Sequence, residues 1–391
     1  MSKQVHSPPE ALRKRGLAQS GAYIYVACPW THVGGGMFKV ADYLIQSQSA
    51  EPCIQDAVLR PLDTQGPHAA VYSLWVSMTA IARLVAGRFS GRLRGVHVNM
   101  AERLSLVRKS VIVATCRLLG VPVVLHLHAA QLPRFYRRLP FAMRWLIRWV
   151  FAQPACVVVL GEVARRFVVD ELRVPADRVE VVTNGVPGPT AARRADRLGA
   201  GRQRLFFLGS DWERKGLFDL LRALAEPGFS DESVELVVAG RGDIDFAREK
   251  ARQAGVESRV RFEGWADQAR AATLLAQADA LVLPAYDEGL PLVILESLAN
   301  GVAVVCTPVG EIPSVLKDGM DVCFVPPGDI AGIAAGIRKV LGDAAFRARL
   351  EANGRLIHQQ RFSMDRFFDR IALIHRRHFG VAAAPRKGGL S

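Results

Sequence analysis

One stretch, residues 281–301, constrains the fold of this chain more than any other. It opens with a short apolar run that ends at Pro284, which is typical of a buried parallel strand. A polar loop over residues 286–289 follows, and the pattern predicts an apolar helix over residues 291–299 that ends at an Asn-Gly pair. A buried strand, a tight loop and a buried helix in succession are the parts of a doubly wound α/β domain.

The same alternation of strand and helix, with glycine-rich turns after the strands, recurs on both sides of this stretch. Strands are predicted at residues 23–28, 96–98, 121–128, 155–160, 204–209 and 302–310, and a further strand that ends in a glycine turn is predicted at residues 234–242. A chain of 391 residues is long enough for two domains. The pattern therefore predicts an α/β protein made of two doubly wound, Rossmann-like domains.

Two carboxylates flank the start of the helix at 291–299. Glu288 lies just before the helix and Glu296 about two turns into it, so both side chains are expected near one crevice. The free backbone N–H groups of the first helical turn lie between them and favour an anion. This arrangement suits a nucleotide sugar, with its hydroxyls at the carboxylates and its diphosphate at the helix end. The alternative is that Glu288 is a loop charge and Glu296 an exposed helix position.

The residues around this carboxylate pair resemble a known enzyme family. The segments 288–301 and 308–313 (Pro-Val-Gly-Glu-Ile-Pro) are similar to the retaining glycosyltransferases of family four, in particular those of bacterial exopolysaccharide and lipopolysaccharide assembly. The resemblance covers roughly residues 22–380 and is strongest over 204–316. It implies the GT-B fold, in which two Rossmann-like domains face each other across a cleft, and transfer of a sugar with retention at the anomeric carbon.

The resemblance also implies roles for individual residues. Lys215 would pair with the donor diphosphate, while Glu288 would hold a donor-sugar hydroxyl and Glu296 the ribose. The family commonly has Arg where Ser210 stands here, and Arg214 is expected to supply that charge. The predicted catalytic residues are His128, Lys215 and Glu288, and the predicted acceptor-binding residues are Gly34 and His128. The predicted donor-binding residues are Gly35, Gly36, Ser210, Arg214, Lys215, Gly240, Trp265, Glu288, Gly289, Leu290, Pro291, Leu292 and Glu296.

His126 and His128 alternate along a predicted strand, so both side chains point to one face. Paired histidines suggest a metal, but neither a carboxylate nor a cysteine follows nearby. In the resembling family the second of these histidines lines the sugar cleft, so that role is predicted for His128, and a structural one for His126. No metal and no cofactor are expected, because a UDP- or GDP-sugar would enter as a substrate.

The net charge of +14 is concentrated in the N-terminal half, where residues 1–190 hold 23 Lys and Arg against 11 Asp and Glu. A basic surface favours anionic partners such as nucleic acid, an anionic membrane or a pyrophosphate-bearing acceptor, although it also keeps a protein soluble. Residues 133–151 mix arginines with Trp and Phe and contain no acid. This segment suits an interfacial helix on the inner leaflet of a membrane, or a helix packed on its own domain.

Six scattered cysteines, an N-terminus without an apolar core and the absence of long apolar runs predict a cytoplasmic protein. Peripheral attachment to the inner leaflet of the cytoplasmic membrane stays open as an alternative location. The predicted partners are a nucleotide sugar and a saccharide or lipid-linked saccharide acceptor, without nucleic acid. The predicted segments are a tail at 1–20, an acceptor domain at 21–187, a linker at 188–203, a nucleotide-sugar domain at 204–362, a helix at 363–380 that crosses back to the first domain, and a tail at 381–391.

Three other function classes stay open at this point. An epimerase or phosphorylase of the same architecture would share the site, and a non-catalytic subunit of polysaccharide assembly would share the fold. A nucleic-acid-binding protein would explain the basic half, although it would leave the two carboxylates without a role. The prediction from the sequence is a glycosyltransferase of bacterial surface polysaccharide biosynthesis.

Overall fold

The computed structural model describes residues 21–30, 35–50, 57–66, 70–102, 104–189, 202–230 and 233–382. The predicted tail at 1–20, most of the predicted linker and nearly all of the final tail lie outside these ranges. The described chain divides into two compact units. The N-terminal unit holds the described residues up to Val159, Val168–Glu180 and those from Phe368 onward, and the C-terminal unit holds Leu160–Phe167 and Val181–Phe367.

The N-terminal unit is built on a six-stranded sheet with the order β2-β1-β3-β4-β5-β6. The strands are β1 (Tyr23–Cys28), β2 (Val58–Asp63), β3 (Leu93–Met100), β4 (Val123–Leu127), β5 (Cys156–Val159) and β6 (Val179–Val181). The helices that precede β6 are α1 (Gly36–Ala50), α2 (Ala70–Phe89), α3 (Leu104–Leu118), α4 (Leu132–Arg137), α5 (Phe141–Ala152) and α6 (Glu162–Arg166), with a π-helical turn at Phe167–Glu171 and a 3-10 turn at Ala176–Arg178. Helix α6 belongs to the C-terminal unit.

The C-terminal unit is built on a second six-stranded sheet with the order β12-β11-β10-β7-β8-β9. The strands are β7 (Gln203–Leu208), β8 (Val234–Ala239), β9 (Val260–Gly264), β10 (Ala280–Leu283), β11 (Ala303–Cys306) and β12 (Cys323–Phe324). The helices are α7 (Leu217–Leu224), α8 (Ile244–Gln253), α9 (Gln268–Ala276), α10 (Leu292–Asn300), α11 (Ile312–Val315), α12 (Ile330–Gly342), α13 (Ala344–Ile357) and α14 (Met364–Phe379), with a 3-10 turn at Glu257–Arg259 and a π-helical turn at His358–Phe362. The last twelve residues of α14 belong to the N-terminal unit.

The order of the strands locates the functional edge of each sheet. Parallel pairing runs from β2 to β5 in the first sheet and across the whole second sheet. The strand order reverses between β1 and β3 in the first sheet and between β7 and β10 in the second. Ligands of open α/β sheets bind outside the carboxyl ends of the strands at such a switch point.

Local sequence explains why these elements form where they do. The strands β5 and β11, which read Cys-Val-Val-Val and Ala-Val-Val-Cys, are buried along their whole length, as expected for strands with helices on both faces. Asp243 and Asp329 accept a hydrogen bond from a first-turn N–H and cap α8 and α12. Gly301 ends α10 in the left-handed conformation, with φ +61°.

The predicted fold class is confirmed by two parallel α/β sheets, but some elements were missed. The sequence pattern does not reveal β2, because Arg60 and Pro61 interrupt its apolar run; the strand lies at the sheet edge, where proline is tolerated. Residues 162–171 form a short α-helix followed by the π-helical turn. Among the described residues, five cysteines are buried free thiols, and no helix has the length and apolar character needed to cross a membrane.

Candidate active site

A charged cluster lies at the switch point of the C-terminal sheet. Lys215 follows β7 and Glu288 follows β10, the two strands between which the order reverses. The Nζ atom of Lys215 lies 2.5 Å from Glu288 Oε1, and Arg214 Nη1 lies 3.2 Å from the same oxygen. Both Lys215 and Glu288 are largely buried, with side chains 14% and 12% exposed. The structure therefore brings together the three charged residues for which the sequence predicted the central roles.

Glycines hold the Lys215 loop tightly against the sheet. A Cβ atom on Gly209, which follows β7, would lie 2.3 Å from Lys215 Cδ, so the lysine side chain runs directly over this glycine. Gly216 has φ +77°, and a Cβ there would lie 2.1 Å from the carbonyl oxygen of Pro284 at the end of β10. Trp212 Nε1 donates to the Gly209 carbonyl oxygen at 2.8 Å. These contacts fix the lysine over the carboxyl end of its own strand.

Arg214 is anchored from three sides. Its Nε donates to Asp211 Oδ2 at 2.8 Å, its Nη1 contacts Glu288, and the same nitrogen donates to the Asp287 carbonyl oxygen. Burial acts to lower the pKa of Arg214, but Glu288 and Asp211 outweigh it, and the net shift is upward. The guanidinium therefore remains charged, and the second cation predicted for this site is present.

The loop that carries Glu288 rests on the loop after β11. Gly310 has φ +60°, and a Cβ there would lie 1.8 Å from the Glu288 carbonyl oxygen. The Glu311 N–H donates to the Gly289 carbonyl oxygen at 3.0 Å, and Thr307 Oγ1 donates to the Ala285 carbonyl oxygen at 2.5 Å. Backbone contacts thus position the acid from the neighbouring strand.

Helix α10 starts directly after this loop. Pro291 is its N-cap and Leu292 its first residue, and no side chain of the described chain caps it. Leu290 is buried, and Glu296 is half-buried in the second turn of α10. An uncapped helix N-terminus beside two cations is a favourable position for an anion. The ribose contact predicted for Glu296 stays a prediction.

The other predicted donor-binding residues of this unit lie at the carboxyl ends of β7, β8 and β9. Ser210 is exposed and follows Gly209. Gly240 has φ +128°, and a Cβ there would lie 2.0 Å from the Gly209 carbonyl oxygen, so only glycine fits between the ends of these strands. Trp265 follows β9 with 53% of its surface exposed. All three lie at the edge of the sheet that carries the charged cluster.

The remaining predicted residues belong to the N-terminal unit. Gly35 precedes α1, and Gly36 is its first residue; a Cβ on Gly35 would meet nothing within 4 Å. Gly34 lies outside the described residues. His128 follows β4, and its Nε2 donates to Asn99 Oδ1, the two atoms being 2.9 Å apart, so Nδ1 is the acceptor nitrogen of this imidazole. Asn99 has no motif around it, and the sequence analysis missed it.

His128 is one end of a chain of four imidazoles. Its ring lies over that of His126, with centroids 4.1 Å apart. His126 Nδ1 lies 3.3 Å from His97 Nε2, and His97 Nδ1 lies 2.9 Å from His375 Nε2. Burial lowers the pKa of His97 and of His128 to about 3, and burial also lowers the pKa of the other two. In the described ranges, no group of three or more His, Cys, Asp or Glu side chains is arranged to hold a metal ion.

Comparison with known proteins agrees with this geometry. Residues 15–185 match the "Glycosyl transferase 4-like domain" model, and residues 202–343 match the "Glycosyl transferases group 1" model. The glycogen synthase of Mycobacterium tuberculosis is 29% identical over 250 residues, which are 61% of this chain and 58% of the relative. The lipopolysaccharide core biosynthesis glycosyltransferase LpsE of Rhizobium meliloti is 35% identical over 164 residues, 41% of this chain and 46% of the relative. These matches span about half the length of the curated relatives.

The fold has solved counterparts. The structure of Anabaena Alr3699/HepE in complex with UDP-glucose superposes with a TM-score of 0.71 at 17% identity, covering 91% of this chain and 99% of the other. The two sheets and the two matched domains thus define the GT-B class of glycosyltransferase fold. The chain belongs to the glycosyltransferases that combine a 4-like domain with a group 1 domain.

Proposed function

We propose that this protein is a retaining glycosyltransferase that transfers a sugar from a nucleotide-sugar donor to a saccharide acceptor in the assembly of a bacterial surface polysaccharide. The observation that carries the proposal is the cluster of Lys215, Arg214 and Glu288 at the switch point of the group 1 domain. The LpsE relative, a lipopolysaccharide core glycosyltransferase, supports the surface-polysaccharide context.

The two cations would stabilise the departing diphosphate. A lysine ammonium carries three donors and an arginine guanidinium five, so both can contact Glu288 and still donate to phosphate oxygens. The N-terminus of α10 adds backbone N–H groups to the same anion site. Fixed donors of this kind lower the barrier because they need not reorganise as charge develops on the leaving group.

The acceptor hydroxyl would attack the anomeric carbon from the side of the leaving group, which retains the configuration. In this step the bond from that carbon to the diphosphate oxygen breaks, the bond to the acceptor oxygen forms, and the departing phosphate oxygen takes the acceptor proton. Glu288 would accept a hydrogen bond from a donor-sugar hydroxyl and Glu296 from the ribose. His128 would contact the acceptor saccharide.

We further propose that the acceptor is lipid-linked and that α5 approaches an anionic membrane surface. Ile147 and Phe151 face the core of the unit, whereas Phe141, Trp145 and Trp149, spaced at four residues, are 72%, 59% and 39% exposed. The apolar side predicted to pack on the domain is therefore only part of the helix surface. Exposed aromatics beside arginines suit the interface between lipid headgroups and acyl chains.

Neighbouring α3 adds a second exposed apolar stripe. Leu104, Val107, Val111 and Leu118 fall on one face of this helix and are 71%, 59%, 45% and 88% exposed. Apolar surface on two helices of one unit is more than scattered single side chains and is typical of an interaction face. This surface would bring the catalytic units to a lipid-linked substrate.

A ligand screen tests the donor proposal most directly. Purified protein would be heated with UDP-, GDP- and ADP-sugars, and the true donor should raise Tm because it binds only the folded state. Incubation with that donor and a saccharide acceptor should give a product whose anomeric configuration, read by NMR, matches that of the donor. A donor that is epimerised or phosphorolysed without glycosidic product would instead assign a different enzyme class. Absence of any nucleotide-sugar binding would exclude the proposed activity.

A further inference from the structure

A fully buried lysine, Lys109, lies in the core of the N-terminal unit. Lys109 lies on the face of α3 that packs on the sheet, in line with Ser105 and Ile112, and its side chain is fully buried. Its Nζ makes no hydrogen bond within the part of the chain that the structure describes. An ammonium group buried without an anion is strongly unfavourable, so such a group calls for a ligand or another reason to be retained.

Three further buried polar atoms lie near the carboxyl ends of β2 and β3 and also lack a hydrogen-bond partner among the described residues. Among the described residues, Arg108 Nε, Thr64 Oγ1 and Asn99 Nδ2 are buried and make no hydrogen bond. Thr64 directly follows β2, and Asn99 is the last residue but one of β3. Arg108 reaches the loop after β2, where its Nη2 donates to Gln65 Oε1 at 2.9 Å. Buried donors without acceptors are rare in folded proteins, and several together indicate a missing acceptor.

Asp63 and Cys28 are the acidic groups that act electrostatically on Lys109 and partly offset the effect of its burial, but among the described residues neither makes a hydrogen bond to it. Asp63 Oδ1 accepts backbone N–H groups from Trp30, Gln65 and Gly66 at 3.2, 3.0 and 3.1 Å, so it serves its own loop. Burial raises the pKa of the Cys28 thiol to about 12, so this group is neutral. Burial also lowers the pKa of Lys109 to about 8, which leaves the ammonium protonated at neutral pH.

The position of these donors is that of a ligand site. Cys28 and Asp63 are paired residues at the ends of β1 and β2, and Asn99 lies near the end of β3. The strand order of this sheet reverses between β1 and β3. The unpartnered donors thus surround the switch point of the first sheet, as the Lys215 cluster surrounds that of the second.

We propose that Lys109 and Arg108, together with Thr64 and Asn99, bind a phosphate group of the acceptor. The assignment rests on the proposed function and names its substrate class: a saccharide that carries a phosphate or diphosphate, such as one linked to a lipid. Asn99 connects the two parts of the site, because its Oδ1 accepts from His128 while its Nδ2 is available to the phosphate. Two cations and two neutral donors are the kinds of group that bind phosphate oxygens.

The experiment compares UDP with two acceptor-like probes, farnesyl diphosphate and glucose 1-phosphate, by calorimetric titration of the full chain. Lys109→Met should weaken at least one acceptor-like probe by about tenfold to a hundredfold, as expected for loss of a charge-assisted hydrogen bond, and leave UDP unchanged. Lys215→Ala should weaken the binding of UDP and leave the binding of both acceptor-like probes unchanged. Arg117→Met, which removes an exposed cation two turns further along α3, is the matched control and should change neither.

The unfolding temperatures of the variants distinguish loss of the binding site from loss of folding. Lys109→Met replaces an unpaired buried charge by an apolar side chain and should unfold at the same or a higher temperature. Arg108→Met, at a half-buried position, is a second test of the same site. The proposal is overturned if neither acceptor-like probe binds, if both variants bind the probes as wild type does, or if Lys109→Met weakens UDP instead. If Lys215→Ala binds UDP as wild type does, the donor assignment is refuted, and the acceptor assignment is unaffected.

Discussion

Lys215 Nζ and Glu288 Oε1 lie 2.5 Å apart, in loops that follow the two strands between which the order of the C-terminal sheet reverses. The lysine is pressed over Gly209 and the glutamate loop rests on Gly310, so neither partner depends on a mobile segment for its position. The lysine and the acid are therefore held in one preorganised cluster, as the roles proposed for them at the leaving group and the sugar require.

Loss of the lysine should disable the leaving-group site. We expect Lys215→Ala to lower kcat/KM for sugar transfer by about 10²- to 10³-fold, since a charged contact made in the transition state contributes a few kcal/mol. Initial-rate kinetics with the donor found in the ligand screen measure the effect. Lys317→Ala removes an exposed lysine of the same unit and should leave the rate unchanged. Near-wild-type turnover of Lys215→Ala would contradict its assigned role.

Glu288→Gln keeps the shape of the acid and removes its charge. The amide can still accept one hydrogen bond from a sugar hydroxyl, but it no longer balances Lys215 and Arg214, so we expect turnover to fall by about 10²-fold. Glu213→Gln is the control, because Glu213 is exposed in the same loop as Lys215. Equal activities of the two variants would remove Glu288 from the site.

A side chain at Gly240 should distort the end of β7. Gly240→Ala places a Cβ 2.0 Å from the Gly209 carbonyl oxygen at φ +128°, and we expect a loss of about 2 kcal/mol or more in the free energy of unfolding together with weaker donor binding. Gly255→Ala is the control that introduces backbone strain without a steric clash, since Gly255 has φ +71° but open space around it. Urea denaturation of both variants measures the difference. Similar losses in the two would show that the contact with Gly209 is unimportant.

The imidazole chain predicts acid sensitivity of the N-terminal unit. Burial lowers the folded-state pKa of His97 to about 3, whereas an unfolded histidine titrates near 6.5. Below pH about 6.5 the unfolded state binds protons that the folded state excludes, so stability is lost as pH falls toward 3. At pH 5 this one residue costs about 2 kcal/mol.

Denaturant unfolding at pH 7.5 and pH 5 measures this loss. His97→Gln should be less stable than wild type at pH 7.5, because the hydrogen bonds to His126 and His375 are changed, but it should lose less stability on acidification. A pH dependence identical to that of wild type would show that His97 is not responsible.

Membrane binding should depend on free arginines near α5. Arg137 is engaged in a two-pronged ion pair with Glu171, at 3.1 and 2.5 Å, so it contributes less to an electrostatic surface than its exposure suggests. Arg134 and Arg138 are exposed on and directly after α4. We expect Arg134→Glu with Arg138→Glu to reduce sedimentation with anionic liposomes strongly, and more so than Arg137→Gln. Binding that is indifferent to these charges, or equal on neutral liposomes, would argue against the membrane proposal.

The sequence predicts the charged cluster well because its parts are local. Lys215 and Glu288 each follow a strong apolar strand, and parallel strands bring their carboxyl ends to one edge, so both residues had to lie at the same side of the sheet. The sequence does not show that Lys215 and Glu288 follow the two strands at the switch point, because no local pattern encodes strand order.

Other features depend on packing between distant parts of the chain. The sequence of α3 has the pattern of an ordinary amphipathic helix that carries Arg108 and Lys109. Only the packed structure shows that Lys109 occupies a core position. His97 and His375 are equally inconspicuous in the sequence, although they meet at 2.9 Å in the fold. The contact of Asn99 with His128, which follows the neighbouring strand, is likewise visible only in the fold.

The support of the Glu288 loop by Gly310 has a consequence for redesign of sugar preference. The Glu288 carbonyl oxygen fills the space that any side chain at 310 would need, and the Glu311 N–H fixes Gly289 as well. Libraries that aim at a new donor should therefore leave the 307–311 turn intact and vary the exposed rim at Ser210 and Trp265, where side chains can change without moving the acid.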